Sequence, residues 1–554
     1  METADVVWMP LKAAVPWACA RAAVVEAGTG AFALPVPRRV LVNGEDRGLT
    51  DRVAVYVEGL EPGARNAVRL EPVDGSVPWE AVVETPPESV RLDVRDFGAA
   101  GDGRRDDTGS IQAAVSCCPG RGTVEVPAGR YRVSSLWLKD GVSLHLAEGA
   151  VLEAVYDREG RAYLPDTRRR TDTGAPYPLG TWEGEGCPMF CAVVNAVGVS
   201  DACVYGPGAV DGRATPDTWW HDPKTIRVAA RPRLVFLEGC EGVTVAGCTL
   251  RNSPSWNVHP VLSRDVRFLC LTLEGPADSP NTDGVNPESC TGVLVSGCEF
   301  SVGDDCIAVK SGKLSRERAL RSACTGVRVR HCSMHDGHGA VVVGSESAGG
   351  VSDVLVEDCV FARTDRGLRV KTRRGRGRDS LVGGIVFRRI AMEGVGVPFV
   401  VNAFYNCDKD GMEGWVQDRS ALPVDMGTPR MGDFTFEDIS AAGSRWCAAW
   451  VAGLPEEPVG RLTFRRVDVA FAEDPDPGVP AMAGGVGPVV RGGFVVSGVR
   501  DLVLEDVRLS GVDGEPLVVD GEPREIPPET CPAAPAPPAP ASHPAPAPPT
   551  PERG

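Results

Sequence analysis

A short pattern of apolar residues recurs along the chain, and this repeat restricts the possible folds more than any other feature. The segment Gly242-Val-Thr-Val-Ala-Gly-Cys-Thr-Leu returns with substitutions at Gly292, Gly326 and Asp353. Weaker copies begin at Asp265, Gly384, Asp433, Arg461 and Asp501, at the ~20–50-residue spacing of repeat proteins. Each copy has apolar residues two positions apart, then a turn and a second short strand. One unit cannot bury its apolar face alone, whereas stacked units bury a continuous core and pair their backbones at ~4.8 Å.

Two other repeat architectures fit this pattern less well. Leucine-rich repeats have a comparable period, but the Leu-x-x-Leu-x-Leu frame is missing. A β-propeller needs four strands per unit, and these units are too short. The sequence therefore predicts an all-β chain built around a single-stranded parallel β-helix.

We divide the chain into three parts. In residues 1–88, alternating segments such as Val53-Ala-Val-Tyr-Val-Glu and Ala67-Val-Arg-Leu, separated by turns, predict a small β-sandwich. This part resembles a fibronectin type III module, which either binds carbohydrate or braces the rest of the chain; we favour bracing. Residues 89–525 form the β-helix. Residues 526–554 are almost all Pro and Ala, and we expect an extended, disordered tail.

Composition narrows the possible partners. A net charge of −17 argues against general nucleic-acid binding, and no apolar run reaches the ~18 residues of a membrane span. We find no signal peptide, which predicts a cytoplasmic protein, or a secreted one if translation begins elsewhere.

The 18 cysteines lack zinc-finger spacing. Instead, four of them share one phase of the repeat and predict an interior ladder of free thiols: Cys248, Cys298, Cys332 and Cys359.

Four short motifs between residues 281 and 371, in segments punctuated by glycine, carry the candidate chemistry. They are Asn281-Thr-Asp-Gly, Gly303-Asp-Asp-Cys, Gly337-His-Gly and Arg369-Val-Lys. Asp283 and Asp304 lie about one coil apart, so they can converge on one face of a β-helix. Clustered carboxylates can supply the acid and the base of glycoside hydrolysis. Asn281-Thr-Asp-Gly or Gly303-Asp-Asp alone is ordinary turn chemistry, but all four motifs together favour an active site.

Together these motifs resemble those of glycoside hydrolase family 28, the polygalacturonases, in the same order. The resemblance covers about residues 90 to 520 and extends to bacterial exo-polygalacturonases. It implies a right-handed, pectin lyase-like β-helix in which a helix covers the open end of the first coil. The amphipathic residues around Ile111 predict that helix, with Thr108 or Ser110 as its N-cap. The resemblance also implies hydrolysis with inversion and without a metal or cofactor. By position, Asp304 is then the general acid and Asp283 and Asp305 activate water. His338 supports the acid or the substrate, and Arg369 and Lys371 hold a galacturonate carboxylate.

Further residues are weaker candidates for substrate binding. Lys310 follows the Asp pair by five positions, Asn281 begins the first motif, and Tyr405 is placed to line the cleft. Asn257 and His259 precede Asp283 by about one coil. A basic run around the last motif predicts either an electrostatic funnel for a polyanion or a solvated loop; it comprises Arg363, Arg366, Arg373, Arg374, Arg376 and Arg378.

The sequence thus predicts a monomeric hydrolase of an acidic pectic polysaccharide, cleaving α-1,4-galacturonosyl links. The N-terminal module and insertions near 162–186 and 217–232 are expected to block one end of the cleft, which favours exo action. Three alternatives remain open: a hydrolase of rhamnogalacturonan or another acidic glycan, a Ca²⁺-dependent pectate lyase, and a glycan-binding β-helix without catalysis.

Overall fold

The computed structural model describes residues 15–28, 30–156, 162, 164, 177–226 and 228–524. The tail predicted at 526–554 lies outside these residues, as does most of the first predicted insertion. Helices are short, and none within the described ranges has the length and apolar character to cross a membrane. They are the 3-10 helices Val94–Phe97 and Arg318–Leu320 and the α-helices Thr108–Cys117 and Gly414–Gln417.

One long parallel sheet runs the length of the molecule and confirms the predicted β-helix. Most early coils contribute two strands to it, separated by a bend, and in later coils the two merge. The first row comprises Arg91–Asp93, Thr123–Val126, Ser143–Leu146, Cys203–Tyr205, Thr244–Ala246, Arg264–Leu269, Thr291–Ser296, Cys324–Arg330, Val351–Ala362, Ile385–Glu393, Phe434–Ser444, Val459–Phe471 and Val499–Ser510. The second row comprises Asp102–Asp106, Gly129–Val133, Ala150–Ala154, Ala209–Asp211, Thr249–Arg251, Thr272–Glu274, Glu299–Ser301 and Ser333–His335, and it continues in the second half of the merged strands, where Ser333 pairs with Val360. Two short strands, Leu381–Val382 and Arg430–Met431, lie instead at the start of the first row, since Val382 pairs with Val351 and with Met431.

A second parallel sheet, here called the cleft sheet, receives one strand from each coil. Its strands are Leu136–Trp137, Val194–Val197, Val235–Glu238, Val258–Val261, Ile307–Val309, Val341–Val343, Arg366–Lys371, Val397–Asn402, Cys447–Ala452, Gly492–Ser497 and Leu517–Val519, with Glu522–Arg524 antiparallel at its end. Between Val258–Val261 and Ile307–Val309 the sheet continues only through isolated bridges at Val285 and Glu288. The segment that follows Asn281-Thr-Asp-Gly is therefore part of the sheet, although it forms no regular strand.

The predicted thiol ladder is present but interrupted. Cys298, Cys332 and Cys359 follow one another in neighbouring coils, because Glu299 pairs with Ser333 and Ser333 with Val360. The coil between Cys248 and Cys298 places Leu271 in the same row, since Thr249 pairs with Thr272 and Thr272 with Glu299. All four cysteines and Leu271 are buried. The described cysteines are free thiols, and the ladder is apolar packing.

A helix covers the first coil, as expected, but its predicted cap is wrong. The helix begins at Thr108 itself, and the N-cap residue is Asp107. The Asp107 side chain makes no capping hydrogen bond to the helix. It accepts hydrogen bonds from the backbone N–H groups of Ala100 (2.7 Å) and Gly101 (3.1 Å) instead. Ile111, Ala114 and Val115 close the apolar interior of the coil.

The N-terminal part has two antiparallel sheets around a small core of its own. One contains Trp17–Ala18, Ala22–Glu26 and Ala54–Glu58, and the other contains Glu45–Arg52, Ala33–Val42, Arg65–Pro72 and Trp79–Glu84. The first sheet packs against the outer face of the long sheet, where Ala22 and Val24 meet Ala246 and Leu269. Glu26 accepts hydrogen bonds there from Ser296 (2.6 Å) and Arg330 (2.8 Å). These contacts hold the module on the long sheet, so the expectation that it walls off the cleft is wrong.

Candidate active site

Arg369 and Lys371 project from the outer face of the cleft sheet. They alternate with Leu368 and Val370, which face the apolar interior, because successive side chains of a strand point to opposite faces. Both cations are nevertheless buried, at 4% and 7% exposure. Burial of a charged side chain requires a partner of opposite charge, and the two cations share one partner.

Asp305 is that partner. Its Oδ2 accepts a hydrogen bond from Lys371 Nζ at 2.8 Å, and its Oδ1 lies 3.5 Å from Arg369 Nη1. Asp283 lies one coil earlier, because Val285 bridges to Ile307. One carboxylate oxygen each from Asp283, Asp304 and Asp305 lie within 4.8 Å of one another. The structure therefore brings the three predicted aspartates together.

The three carboxylates differ in their affinity for a proton. Burial opposes ionisation of Asp305, but the charges of Lys371 and Arg369 lower its pKa to about 2. Burial, followed by the charge of Asp305, raises the pKa of Asp304. Burial and the charge of Asp304 raise the pKa of Asp283. The cluster thus sets one carboxylate with a lowered pKa beside two carboxyl groups that hold a proton more tightly than an ordinary aspartate, which is the combination that acid–base hydrolysis needs.

The same cluster is a poor site for a divalent cation. Ca²⁺ takes 6–8 oxygen ligands, and three carboxylates in one place suggest such a site. Here, however, Lys371 and Arg369 already neutralise Asp305 and would repel a cation. The donor set therefore does not fit the calcium centre that a pectate lyase would require.

Glycines in the motifs allow neighbouring turns to approach closely. Gly337 has a φ of +79°, and a Cβ there would lie 2.5 Å from the backbone oxygen of Asp304. A Cβ on Gly303 would lie 2.2 Å from the backbone oxygen of Ser279. Such distances are too short for any side chain. Glycine is thus required to stack the turns that carry the aspartates.

His338 lies at the open side of the cluster. Its side chain is 54% exposed, and its Nδ1 lies 3.0 Å from Asp365 Oδ2. That hydrogen bond is the main cause of the raised pKa of His338, to which the charge of Asp304 also contributes. Its backbone N–H donates to the backbone oxygen of Asp304 at 3.3 Å. The structure thus couples His338 to Asp304, and none of the four motifs points to Asp365.

Of the weaker candidates, Tyr405 lies in the cleft, whereas Lys310 and Asn281 are held by other side chains. Tyr405 lies over both cations, with Arg369 Cζ 5.3 Å and Lys371 Nζ 5.2 Å from its ring centroid. Lys310 is buried in an ion pair with Glu346 at 3.0 Å. Asn281 accepts a hydrogen bond from Arg231 at 2.7 Å.

Asn257 and His259 are buried supports. Asn257 Nδ2 donates to the backbone oxygens of Thr282 (3.1 Å) and Asp283 (3.0 Å). His259 Nε2 lies 3.0 Å from Glu288 Oε2. Both therefore hold the coil that carries Asp283 in place.

Most members of the basic run are held by fixed partners, so neither a funnel nor a solvated loop describes them, whereas the outer Arg363 keeps 62% of its side chain exposed. Buried Arg373 binds Asp410 and buried Arg374 binds Glu456, each through two hydrogen bonds. The remaining members are likewise held, Arg376 by Asp408, Arg378 by Glu457, Arg363 by Asp336, and Arg366 by backbone oxygens of 479 and 480. The carboxylates come from distant loops, so sequence proximity could not reveal them.

Comparison with known proteins agrees with this site. The family "Glycosyl hydrolases family 28" matches residues 180–418. A protein of Vitis vinifera named "Probable polygalacturonase" is 32% identical over 390 residues, covering 68% of this chain and 74% of the relative. The chain belongs to glycoside hydrolase family 28. The resemblance drawn from the four motifs is thereby confirmed, and the protein is a glycoside hydrolase.

Further relatives of this family 28 chain include bacterial enzymes. The "Exo-poly-alpha-D-galacturonosidase" of Dickeya chrysanthemi is 25% identical over 439 residues, covering 70% of this chain and 69% of that protein. Residues 92–145, which form the first coils, also match "Rhamnogalacturonase A/epimerase, pectate lyase-like". That match ends well before the aspartate cluster.

Solved structures confirm the fold. The family 28 exopolygalacturonase of Yersinia enterocolitica has a TM-score of 0.65 at 20% identity, covering 92% of this chain and 98% of its own. The exopolygalacturonase of Thermotoga maritima has a TM-score of 0.56 at 23% identity, covering 76% and 92%. At these identities the likeness concerns the right-handed pectin lyase-like β-helix alone.

In this family 28 hydrolase an insertion covers one end of the cleft sheet. Phe236 and Val261 face outward, yet both are fully buried against Leu179, Met189 and Cys191. The hairpin Thr181–Gly186 is the end of the insertion that lies nearest the aspartates. Its Thr181 donates to Glu288 at 3.0 Å.

Trp182 and Trp256 form the face of this wall, and no sequence motif marks either residue. Their rings stack with centroids 6.0 Å apart and planes 11° apart. The buried guanidinium of Arg233 lies 4.3 Å from the Trp256 centroid. The wall begins one coil before Asp283, because Val258 bridges to Val285.

Proposed function

We propose that this protein hydrolyses α-1,4-galacturonosyl links of polygalacturonate or its oligomers, from a chain end and with inversion. The observation that carries this proposal is Asp305, held ionised between Lys371 and Arg369 beside the protonatable Asp304. The relatives named polygalacturonase support the same substrate class.

In the proposed mechanism, Asp304 protonates the oxygen that leaves from the scissile bond. Asp305, which stays ionised, takes a proton from the attacking water, and Asp283 helps to orient that water. Asp304 is the one aspartate of the cluster that is not fully buried, and the neighbouring His338 is exposed, so the leaving oxygen is placed on their side. The cationic His338 then stabilises the Asp304 carboxylate that remains after proton transfer.

Arg369, Lys371 and Tyr405 are proposed to hold the substrate on the opposite side of the scissile bond. Arg369 Nη2 is buried and has no hydrogen-bond partner among the described residues. A uronate carboxylate would satisfy it, because guanidinium and carboxylate groups pair in a fork. The exposed part of the Tyr405 ring offers an apolar surface for a sugar face. Lys310 and Asn281 are proposed to complete the neighbouring subsite.

Exo action is supported by the wall at Trp182 and Trp256. A chain cleaved internally must extend over the sheet on both sides of the aspartates. On one side, outward residues such as Phe236 and Val261 are covered, so only a chain end fits there. The N-terminal module is proposed to brace the long sheet, as its buried contacts there suggest, and we propose that the protein acts as a monomer.

Product analysis on polygalacturonate tests this function directly, with Asp304→Asn beside the wild type. We expect the wild type alone to release monomer or dimer from the start of the reaction. An initial ladder of longer oligomers would retain the hydrolase and overturn exo action. Unsaturated products absorbing in the ultraviolet, or loss of activity with a chelator, would favour a lyase. Inactivity on galacturonan would require rhamnogalacturonan to be tested next.

A further inference from the structure

We propose that a strap across the cleft, residues 478–484, makes this enzyme selective for short acidic oligosaccharides over the polymer. The strap lies on the side of the aspartates opposite the Trp182 wall, so the cleft is closed at both ends. This inference rests on the proposed galacturonide hydrolysis and names the size of its substrate.

Hydrogen bonds show that the strap crosses the whole width of the cleft sheet. At the edge where the strands begin, Arg366 donates to the backbone oxygens of Val479 (2.6 Å) and Pro480 (3.3 Å). At the edge where they end, Asn402 Nδ2 donates to the backbone oxygen of Met482 at 3.1 Å. Strands in this sheet are parallel, so the two anchors lie on opposite edges. The segment between them must pass over the outer face.

Burial below the strap agrees with this path. Val400 faces outward, between the interior residues Phe399 and Val401, yet it is 1% exposed. It is buried in a cluster with Ala481 of the strap. Val400 is the register partner of Arg369 in the next coil. The strap therefore covers the sheet immediately beyond the proposed substrate-binding cation.

Further contacts fix the strap in place. Gly484 N donates to Gln417 Oε1 at 2.7 Å, and Arg419 donates to the Gly484 oxygen at 3.2 Å. Tyr405 Oη donates to Met482 Sδ at 3.5 Å. The base of the strap is closed by an antiparallel bridge between Gly478 and Val489. With anchors at both edges and at its base, the strap acts as a fixed wall.

The two walls define the length of the site. Five coil spacings separate the covered coil of Val258–Val261 from that of Val397–Asn402, or ~24 Å at ~4.8 Å each. Four coils lie between them, and the hairpin reaches over the first of these, where Thr181 donates to Glu288 at 3.0 Å. Because a pyranose unit is about as long as one coil spacing, the floor accommodates about three sugars. A longer chain must turn away from the sheet to leave the site.

The test measures kcat/KM for galacturonides of two to six units and for polygalacturonate, expressed per chain. We expect a maximum at the dimer or trimer and a value at least tenfold lower for the polymer. A rise that continues through the hexamer to the polymer would overturn the strap's role. Inactivity on every galacturonide would instead refute the proposed function, so the two failures are distinguishable.

A strapless variant tests the cause of the selectivity. Replacing residues 479–488 by Asn-Gly joins Gly478 to Val489, whose backbones already exchange hydrogen bonds of 3.0 and 2.9 Å, through a two-residue turn. We expect the polymer-to-dimer ratio of kcat/KM to rise at least tenfold. Because both substrates use the same catalytic groups, the dimer rate is the internal control. An unchanged ratio in a folded variant would refute the proposal, and the wild-type length profile decides it if the variant does not fold.

Discussion

Lys371 Nζ lies 2.8 Å from Asp305 Oδ2 in a site where both side chains are more than 90% buried. Residues 66 positions apart in the chain are brought together on the cleft sheet, where Asp305 precedes the strand Ile307–Val309 and Lys371 ends the strand two coils further on. The charge of Lys371 is the largest of the influences that lower the pKa of Asp305 against the effect of burial. Lys371 therefore controls the protonation of the proposed base, besides its proposed contact with substrate.

Replacing Lys371 by Met should shift the acid limb of the kcat/KM profile to higher pH. Without the ammonium group, burial raises the pKa of Asp305, so the base becomes protonated at higher pH. We expect a shift of about one pH unit or more, together with a large loss of activity. The control is Lys409→Met, at an exposed lysine in a nearby loop, which should leave the profile in place. A Lys371→Met profile that falls without shifting would show that Lys371 acts on the substrate alone.

Asp304→Asn should lower kcat by about 10²–10⁴, the usual contribution of a general acid, with little change in KM. The amide keeps the size of the side chain but supplies no proton to the leaving oxygen. Asp278→Asn provides a matched control, because Asp278 is an exposed residue in the same loop as Asn281. Equal activity of Asp304→Asn and wild type on a galacturonide that the wild type cleaves would remove Asp304 from the mechanism.

The sequence was sufficient for the fold and for the central aspartates. The repeat fixes which residues face the interior, as for Val293, Val327 and Val354, which stack in register. The motif positions place Asp283 and Asp305 on neighbouring coils for the same reason. Where a coil is degenerate, prediction fails locally, as with Leu271 in the thiol ladder.

The sequence could not reveal contacts between distant loops. The basic run at 363–378 appeared free because its partners Asp410, Glu456 and Glu457 lie in other segments. The strap at 478–484 and the Trp182 hairpin have no motif, and only their positions above the cleft sheet give them a role. Loops of this kind set the size of the site, whereas the repeat sets its chemistry.

Asp365→Asn should move the pH dependence of activity through His338. The hydrogen bond from Asp365 raises the pKa of His338, so its loss lowers that pKa. The imidazolium then loses its proton at lower pH, and activity at neutral pH should fall several-fold while activity near pH 5 is retained. Titration of the His338 ring by NMR gives an independent measure. An unchanged ring pKa, or an equal loss of activity at both pH values, would contradict the proposed coupling.

The stereochemistry of the first product tests the arrangement of the three carboxylates. Their oxygens lie within 4.8 Å of one another, closer than the ~6.5–9.5 Å usual between the acid and base of inverting enzymes. Inversion requires that water be held beside Asp283 and Asp305 together, because there is little room for it between acid and base. NMR of the initial anomer should show the β-configured reducing end from an α-linked substrate. An α product would indicate retention, and one aspartate would then act as a nucleophile.

Docking of the N-terminal module should depend on His145. The ring is buried on the long sheet. Its Nε2 lies 2.9 Å from Glu58 Oε1 of the module, and its Nδ1 lies 2.5 Å from Glu125 Oε2. Burial opposes protonation, but the two carboxylates raise the pKa of His145 to about 9. A raised pKa stabilises the folded state fully below the unfolded value of about 6.5, and this contribution is lost as the pH rises through about 9.

The rise in the pKa of His145 from about 6.5 to about 9 corresponds to at most about 3–4 kcal/mol of folding free energy. His145→Gln should therefore lower the thermal midpoint at pH 6 and have a much smaller effect at pH 10. Wild type and variant are compared by calorimetry at both values, with the exposed His221→Gln as control. A destabilisation of equal size at pH 6 and pH 10 would show that the ring contributes through packing. The brace between module and β-helix would then not depend on its charge.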